Sequence, residues 1–340
     1  MTIGSLIRRR RLVSTNALAF AIAALSCATL CCASAIAQSA VETAFPDRPI
    51  RLIVPYTPGG PSDVMGRLMA QSLSAAFGQQ AYVDNRPGAG STLGGKLAAS
   101  ADPDGYTLLV ATAATLAIGP TLYPSTGLDP KVFAPVAMFA TVPFVMVGGP
   151  KTPPGSITDV IAYAKAHPGR LTIGVPNGAP PHMLAAWFRS LTGTDIVIVP
   201  YKGGAGDLAD LMGGQIDLAI ETTSVVLSHL ADHSLHPLAT ATPERLKETP
   251  DIPTLIESGV PGFVATSWTG LAAPPGTPQP VVAKLNAAID AGLASPDLQA
   301  RLKALGAQGR PGTPSDFADF IAGEVPKWTA MAKLSGVQGE

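Results

Sequence analysis

The sequence predicts an α/β fold in which two doubly wound lobes enclose a ligand cleft. From Pro49 onward, short apolar runs alternate with helical patterns, an order typical of parallel sheets covered by helices on both faces. A glycine- and proline-rich stretch at residues 148–155 marks one crossing between two sets of strands, and residues 268–275 mark the return. Several turns after strands are rich in glycine, which indicates a binding site at the carboxyl ends of the strands.

The individual elements follow from the spacing of apolar residues. Met65, Met69 and Leu73 recur four positions apart, which predicts an amphipathic helix directly after the first strand. From Pro278 the pattern is helical to the end, over residues 281–293, 296–305 and 314–334. The predicted strands cover residues 50–55, 81–84, 106–111, 136–147, 171–175, 196–200, 216–220, 235–240 and 264–271.

The order of these elements predicts two lobes and a leader. Residues 41–147 together with 268–340 form lobe 1, which includes the C-terminal helices. Residues 148–267 form lobe 2, inserted between the two crossings. Residues 1–37 form a cleaved signal peptide, because the arginines at 8–11 precede an apolar run at 18–30 and an Ala-Ile-Ala cleavage signal at 35–37. We therefore expect export to the periplasm, by the general secretory or the twin-arginine route.

Export changes the charge and the cysteine content of the chain. Removing residues 1–37 takes away four arginines and no acidic residue, which lowers Lys and Arg from 23 to 19 against 24 Asp and Glu. All three cysteines lie in the removed segment, so no disulfide can stabilise the exported chain. A mildly acidic chain has no basic surface for nucleic acid. It can bind an anion only locally, through backbone N–H groups and hydroxyls.

Three loops at strand ends have the composition of such an anion site. They cover residues 56–60 (Tyr-Thr-Pro-Gly-Gly), 177–182 (Asn-Gly-Ala-Pro-Pro-His) and 201–204 (Tyr-Lys-Gly-Gly), and each leads into a predicted helix. Glycine lets the backbone approach a ligand closely, and a helix N-terminus favours negative charge. One such loop can be an ordinary turn. Three of them, divided between two lobes, predict the two sides of a cleft.

Signals for enzymatic or metal chemistry are incomplete. Residues 90–96 nearly match a phosphate-binding loop, but Leu97 occupies the position where a hydroxyl must hold magnesium. These glycines fit better as sites where a helix packs close to the sheet. His229 and His233 are four residues apart on a predicted helix but lack the glutamate of a zinc motif, so we expect no metal site. His182 is a conceivable general base, although no matching serine or cysteine nucleophile is present.

Motifs along the whole exported chain resemble those of one family, the receptors of tripartite tricarboxylate transporters, also called Bug receptors. The opening motif is Pro-Ile-Arg-Leu-Ile-Val-Pro-Tyr-Thr-Pro-Gly-Gly at residues 49–60, followed by Asp63 and Arg67. The resemblance continues in the same order through residues 84–90, 103–109, 199–203, 213–217, 250–254, 276–278 and 312–314, and includes Phe317.

The resemblance implies a type II periplasmic-binding-protein fold that closes on a small carboxylate and passes it to the membrane subunits of a secondary transporter. It implies that the carboxylate is held by the first strand–helix loop and by loops of the other lobe. Two departures, Pro180-Pro181-His182 and Tyr56-Thr57, leave the identity of the ligand open. Carried onto this chain, the implied ligand-binding residues are Tyr56, Thr57, Pro58, Gly59, Gly60, Asp63, Thr112, Asn177, Gly178, His182, Tyr201, Gly203, Gly204, Glu221 and Thr222.

We therefore expect a monomeric, non-enzymatic receptor without cofactor, metal or nucleic acid. If Asp63 or Glu221 faces the cleft, it rejects a second negative charge there or pairs with an ammonium or hydroxyl group. Amino acids, hydroxy acids and aromatic acids then remain possible ligands beside plain dicarboxylates. Two alternatives stay open: a sensor that presents its closed form to a membrane signalling protein, and a secreted hydrolase that uses His182.

Overall fold

The structure, a computed structural model, describes residues 45–152, 155–201 and 204–337, and only the backbone of residues 204 and 205. The predicted signal peptide and Gly203 lie outside the described residues. Residues 48–340 belong to one compact unit, which contains all the elements below. Among the helices that the structure describes, none combines the length and the apolar character needed to cross a bilayer.

Each of the nine predicted strands is present, and the described residues add a tenth, short one. The strands form a continuous mixed sheet in the order β2-β1-β3-β9-β4-β7-β5-β6, with β8 and β10 both paired to β4. Their bounds are β1 Ile50–Val54, β2 Ala81–Asn85, β3 Thr107–Thr112, β4 Ala134–Gly148, β5 Thr172–Pro176, β6 Val197–Tyr201, β7 Leu218–Thr222, β8 His236–Thr240, β9 Thr266–Ala273 and β10 Gln308–Gly309.

Helices connect most of these strands and complete the C-terminal end of the chain. A π-helical segment, Ala114–Ile118, runs directly into the short α-helix Gly119–Leu122. The α-helices are α1 Pro61–Phe77, α2 Thr92–Ala99, α3 Gly119–Leu122, α4 Ile157–Ala166, α5 Pro180–Thr192, α6 Gly204–Met212, α7 Thr223–Ala231, α8 Gln279–Leu293, α9 Pro296–Ala304 and α10 Pro314–Ser335. The prediction of purely helical structure after Pro278 is wrong only at β10, whose two residues are too few to show a pattern.

The prediction of parallel sheets is correct for part of the strands and wrong for the rest. β1 pairs in parallel with β2 and β3, and β5 pairs in parallel with β6 and β7. β9 is antiparallel to both β3 and β4, and β4 is antiparallel to β7. Apolar periodicity reports which face of a strand is buried, not its direction.

Strand β4 pairs with two groups of strands, one formed by β1, β2, β3 and β9 and the other by β5, β6 and β7. Its first ten residues, up to Pro143, pair with β9, whereas its last five, from Phe144, pair with β7. The change of partner therefore falls within one strand, before the crossing predicted at residues 148–155. The division of the chain into two lobes at these positions stays a prediction.

The C-terminal helix α10 links the two groups of strands through large buried side chains. A capping box between Thr313 and Asp316 begins the helix, with Pro314 in its first turn. Trp328 is fully buried and meets Phe144 of β4 edge to face, with ring centroids 6.4 Å apart. Burying a large apolar side chain contributes about 1.5–3 kcal/mol, so this contact fixes α10 against the sheet.

Glycines let α2 lie close to β1, as predicted for residues 90–96. A methyl group on Gly94 would stand 2.7 Å from both the Arg86 carbonyl oxygen and the Pro55 Cβ. Real Cβ atoms essentially never approach so closely, so this helix position excludes any larger residue.

We predict that Gly94→Ala lowers the free energy of unfolding by about 1–3 kcal/mol, because the new methyl group overlaps backbone that cannot move away cheaply. Gly323→Ala is the matched control, since Gly323 is also helical and has open space where the methyl group would go. The control should gain about 0.5–1 kcal/mol from helix propensity. Urea unfolding of both variants measures the difference, and equal effects would contradict the close approach at Gly94.

Candidate functional site

A cavity of about 400 Å³ lies where the carboxyl ends of β1, β3, β5 and β7 meet β4, β9 and α10. Its volume is in the range of small-molecule sites, about 300–1,000 Å³. The first strand–helix loop and α1 contribute Tyr56, Thr57, Gly60, Pro61, Ser62 and Met65, and the end of β3 contributes Thr112, Ala113 and Ala114. The remaining walls are Val142, Phe144, Pro176, Ala179, Pro180, Pro181, Glu221, Thr222, Val225, Ser267, Trp268, Thr269 and Trp328.

The cavity brings together some of the residues predicted to bind ligand. Those that line it are Tyr56, Thr57, Gly60, Thr112, Glu221 and Thr222. Seven others are described but do not line it: Pro58, Gly59, Asp63, Asn177, Gly178, His182 and Tyr201. Of Gly204 the structure describes only the backbone, as the first residue of α6. Contact between any of these residues and a ligand stays a prediction.

Three α-helices begin at the cavity wall. The residues that precede their first turns are Gly60 for α1, Ala179 for α5 and Thr222 for α7, and all three line the cavity. None of the three helices has a side-chain cap at this end. Each N-terminus carries roughly half a positive charge, so the three together favour an anion in the cavity.

The N-terminus of α5 contributes the positive potential of a helix terminus, but it offers no free N–H donor. Pro180 and Pro181 have no N–H group, the Ala179 N–H donates to the Pro176 carbonyl at 3.2 Å, and the His182 N–H donates to the Ala179 carbonyl at 3.0 Å. This wall therefore presents pyrrolidine rings to a ligand. Hydrogen bonds to an anion must come from the other walls.

Hydroxyl groups are concentrated at the ends of β1 and β3. The Tyr56 hydroxyl lies 2.6 Å from Thr112 Oγ1, which also accepts a hydrogen bond from the Thr115 N–H at 3.3 Å. Burial raises the pKa of Tyr56, and hydrogen bonds from Thr112, Thr115 and Ser91 only partly oppose that rise, so the phenol stays neutral. Among the residues that the structure describes, those that line the cavity include no lysine, arginine or histidine. An anion would therefore be bound by hydroxyls, backbone N–H groups and helix termini.

Asp63 points away from the cavity and fixes the first loop. Its Oδ2 accepts hydrogen bonds from the Gly59 N–H at 3.0 Å and from Arg67 Nε at 2.9 Å. Its Oδ1 accepts from Asn85 Nδ2 at 3.0 Å, and the same amide donates to the Tyr56 carbonyl. Burial raises the pKa of Asp63, but the donors from Arg67, Gly59 and Asn85 outweigh it and hold the pKa below its usual range. Asp63 is thus ionised and holds the loop in shape.

Glu221 reaches the cavity from the end of β7, and a second carboxyl group lies behind it. Glu221 is 5% exposed and Asp207 of α6 is fully buried. Burial raises the pKa of Glu221 to about 8, with a further contribution from the neighbouring charge of Asp207. Burial also raises the pKa of Asp207, to about 6. This part of the wall therefore disfavours negative charge in the free protein.

The predicted residues of lobe 2 that do not line the cavity have structural partners. The Gly178 N–H donates to His182 Nδ1 at 3.4 Å, and burial lowers the pKa of His182, which keeps the imidazole neutral. The Tyr201 hydroxyl donates to Asp210 Oδ2 at 2.7 Å, and burial together with Asp210 raises the pKa of Tyr201 to about 12. The Asn177 N–H donates to the Tyr201 carbonyl at 2.8 Å. These contacts connect the ends of β5 and β6.

Sequence reasoning missed several wall residues, above all two tryptophans. Trp268 and Trp328 are at most 1% exposed, as expected for core residues, yet both line the cavity. Helical or strand spacing with apolar partners cannot distinguish a core residue from one at the boundary between core and cavity. The sequence feature that could have indicated Trp268 as a wall residue is its position at the predicted return crossing between the two sets of strands. Its Nε1–H has no hydrogen-bond partner among the described residues.

The prediction that His229 and His233 lie on one helix is wrong, because α7 ends at Ala231 and His233 has a left-handed backbone conformation, with φ of 60°. His229 Nδ1 lies 3.2 Å from Ser234 Oγ, and both His229 and His233 are on the outside of the molecule. No cluster of three or more His, Cys, Asp or Glu side chains suited to a metal ion occurs among the described residues.

Comparison with known proteins identifies close relatives. A family model described as "Tripartite tricarboxylate transporter family receptor" matches residues 65–337. Protein BugT of Bordetella pertussis is 37% identical over 308 residues, which are 89% of this chain and 94% of BugT. A UPF0065 protein from the tcbD-tcbE intergenic region of Pseudomonas sp. (strain P51) is 33% identical over 85% of this chain and 86% of its own.

Solved structures of similar proteins share the fold. An R. palustris protein solved with adipate superposes with a TM-score of 0.77 at 34% identity, over 86% of this chain and 99% of its own. The periplasmic binding protein BugD gives a TM-score of 0.74 at 33% identity, over 87% of this chain and 100% of BugD. MatC from Rhodopseudomonas palustris, with bound malate, gives a TM-score of 0.74 at 32% identity, over 85% of this chain and 100% of MatC. The chain therefore has the periplasmic-binding-protein fold of these proteins.

We predict that Asp63→Asn lowers the free energy of unfolding at neutral pH by about 1–3 kcal/mol, because it removes a buried charge that accepts several hydrogen bonds. The pKa of Asp63 is depressed in the folded protein, so its contribution is present above the unfolded value and is lost as the pH falls through the folded value. The difference between variant and wild type should therefore shrink below about pH 4.

Asp297→Asn is the matched control for this prediction. Asp297 also pairs with an arginine four residues on in the first turn of a helix, but its side chain is 85% exposed, against 3% for Asp63. An exposed pair contributes only about 0–1 kcal/mol, so this variant should change little. Equal losses in the two variants, measured by urea unfolding at several pH values, would contradict the role assigned to Asp63.

Proposed function

Because the chain belongs to the family of tripartite tricarboxylate transporter receptors, we propose that it captures a small carboxylate-bearing solute by domain closure and delivers it to the membrane subunits of such a transporter. The proposed place of action is the periplasm, where the family's binding proteins work. In this mechanism the ligand binds the closed form better than the open form and so shifts the population toward it. The closed form then docks on the membrane subunits.

The observation that carries this proposal is the convergence of three uncapped helix N-termini on one cavity. Gly60, Ala179 and Thr222 bring these termini together from both groups of strands. A phosphate or sulfate is usually bound with help from Arg or Lys, and neither is found among the described residues that line the cavity. A carboxylate is a smaller anion that hydroxyls and N–H groups can satisfy.

The walls also support an organic ligand with an apolar body. Val142, Phe144, Trp268 and Trp328 form an apolar surface opposite the polar loops. Similar proteins have been solved with adipate and with malate, which carry carboxylates on carbon chains of different length. We therefore propose a carboxylate whose carbon skeleton packs against the tryptophans.

The proposed role is binding without catalysis. His182, the one candidate base, does not line the cavity, and its Nδ1 accepts a hydrogen bond from the Gly178 N–H. We propose that the chain acts as a monomer and that its partner is a transporter rather than a signalling protein. Deletion of the transporter subunits should abolish uptake of the ligand, whereas loss of gene induction with uptake intact would favour the sensor.

We predict that carboxylates raise the thermal stability of the purified protein. A ligand at 100 times its dissociation constant adds about 2.7 kcal/mol to the free energy of unfolding, which a thermal-shift panel of mono-, di- and tricarboxylates, amino acids and aromatic acids detects. A response restricted to sugars or cations would contradict the carboxylate proposal.

We further predict that Gly60→Val weakens binding of the best carboxylate at least about tenfold, which corresponds to roughly 1.4 kcal/mol. The backbone at Gly60 is extended, and a Cβ there meets only the Thr57 carbonyl at 3.9 Å, so the variant can fold while it adds bulk to the cavity wall. Gly323→Val, at an exposed helical position, is the control and should leave affinity unchanged. Full affinity in Gly60→Val would show that this loop is only a turn.

A further inference from the structure

A second cavity, of about 150 Å³, adjoins β4 on the face opposite to the first cavity, which is the one of about 400 Å³. Side chains alternate between the two faces of a strand, and Phe144 lines the first cavity whereas its neighbours Pro143 and Val145 line the second. The second cavity therefore lies at the residues where β4 changes its partner from β9 to β7. Its other walls come from α7, β8 and the segments 246–252 and 303–308.

The lining of the second cavity favours an uncharged, apolar molecule. Large aliphatic side chains form much of it: Leu227, Leu230, Leu246 and Ile252. Among the described residues that line it, the charged ones are Glu248 and Lys303, which have opposite sign and are both exposed. Since burying an unpaired charge is expensive, an occupant should be neutral. An apolar cavity of this size stays dry and can bind a single ring such as benzene.

One hydroxyl of the lining lacks a partner, that of Thr249, whose Oγ1 is buried and has no hydrogen-bond partner among the described residues. Thr223 Oγ1, by contrast, donates to the Gly306 carbonyl at 3.1 Å. Thr240 Oγ1 lies 2.8 Å from Thr242 Oγ1. A buried hydroxyl without a partner costs stability, and a threonine hydroxyl changes direction by rotation about one bond. A molecule in the cavity that carries its own hydroxyl can therefore supply the missing hydrogen bond.

Helix α7 contributes to both cavities. Thr222, which precedes its first turn, and Val225 line the first cavity, whereas Thr223 and Leu227 line the second. The hydrogen bond from Thr223 to Gly306 already ties the start of the helix to one edge of the second cavity. A molecule that fills this cavity packs against α7 and holds its N-terminus in place. Because that N-terminus is one of the three that favour an anion, such a molecule should strengthen anion binding in the first cavity.

We propose that the second cavity is a binding site for a small uncharged molecule with an apolar ring and one hydroxyl group, a phenol in chemical class, and that its occupation strengthens carboxylate binding in the first cavity. The strengthening rests on the proposed carboxylate-binding function, whereas the second site does not. The coupling is reciprocal, so the carboxylate should strengthen phenol binding by the same factor.

The first experiment locates phenol without any carboxylate. Phenol is titrated into the purified wild-type protein with ¹³C-labelled methyl groups, and the shift of each methyl signal is followed by NMR. The largest shifts should occur at Leu227, Leu230 and Ile252, and they should saturate with a dissociation constant of about 1 mM or less. Largest shifts at Val142 and Val225 would place phenol in the first cavity and overturn the second site, as would shifts that do not saturate.

The charge of the ligand is tested in the same assay. Benzylammonium and benzoate carry the ring of phenol with a positive or a negative group, and neither should saturate the shifts at Leu227, Leu230 and Ile252. Saturation of these shifts by either ion at a lower concentration than phenol would overturn the assignment of an uncharged ligand.

The role of the Thr249 hydroxyl is tested with two probes of similar size. Toluene has a methyl group where phenol has its hydroxyl, and Thr249→Val makes the same replacement in the protein. The variant should weaken phenol binding about fivefold and leave toluene binding unchanged, because a hydrogen bond is lost only with phenol. Thr158→Val, at an exposed threonine of α4, is the control and should change neither. Equal losses for both probes, or no loss for phenol, would overturn the role of this hydroxyl.

The last experiment measures the coupling between the two cavities. The dissociation constant of the best carboxylate from the thermal-shift panel is measured by calorimetry with and without saturating phenol. Phenol should tighten carboxylate binding at least about threefold. Unchanged or weaker carboxylate binding would overturn the coupling.

These measurements separate the possible failures. If phenol saturates the second cavity while no carboxylate binds, the second site stands and the carboxylate function is contradicted. If a carboxylate binds while phenol gives no saturable shift, the carboxylate function stands and the second site is overturned.

Discussion

The arrangement of the whole molecule depends on one strand that belongs to two groups of strands. β4 pairs with β9 through its first ten residues and with β7 through its last five. Val142 and Phe144, on either side of the change of partner, line the cavity, and Phe144 also packs against Trp328 of α10. One wall of the cavity is thus a single continuous strand, to which both groups of strands are hydrogen-bonded.

The electrostatics of the site follow from that geometry. Strand ends that meet at one place bring the N-termini of the following helices with them, so the helix termini themselves create positive potential at the cavity. Burial raises the pKa of both Glu221 and Asp207, so this part of the wall disfavours negative charge. The site is therefore polarised, with helix termini that favour an anion in one part and a carboxyl group that disfavours negative charge in another.

Much of this could be predicted from local sequence, and the exceptions have physical reasons. The loop from Tyr56 to Gly60 could be predicted, because a buried strand, a glycine turn and an amphipathic helix follow each other directly in the sequence. The structural role of Asp63 could not be predicted, since nothing local shows that Asn85, 22 residues away, and the Gly59 N–H donate to its two oxygens. Trp268 and Trp328 looked like core residues and are also cavity walls. The antiparallel course of β9 depends on pairing between distant segments, which periodicity does not report.

The two prolines that begin α5 have a consequence beyond the loss of two N–H groups. Their rings fix φ near the helical value in the unfolded chain as well as in the folded one, so this wall has little conformational freedom to lose. A flexible loop would have to be ordered whenever a ligand binds, at about 0.5–1.5 kcal/mol for each immobilised side chain. Pro180 and Pro181 therefore form a surface that is already rigid before a ligand arrives, and binding there carries little of this cost.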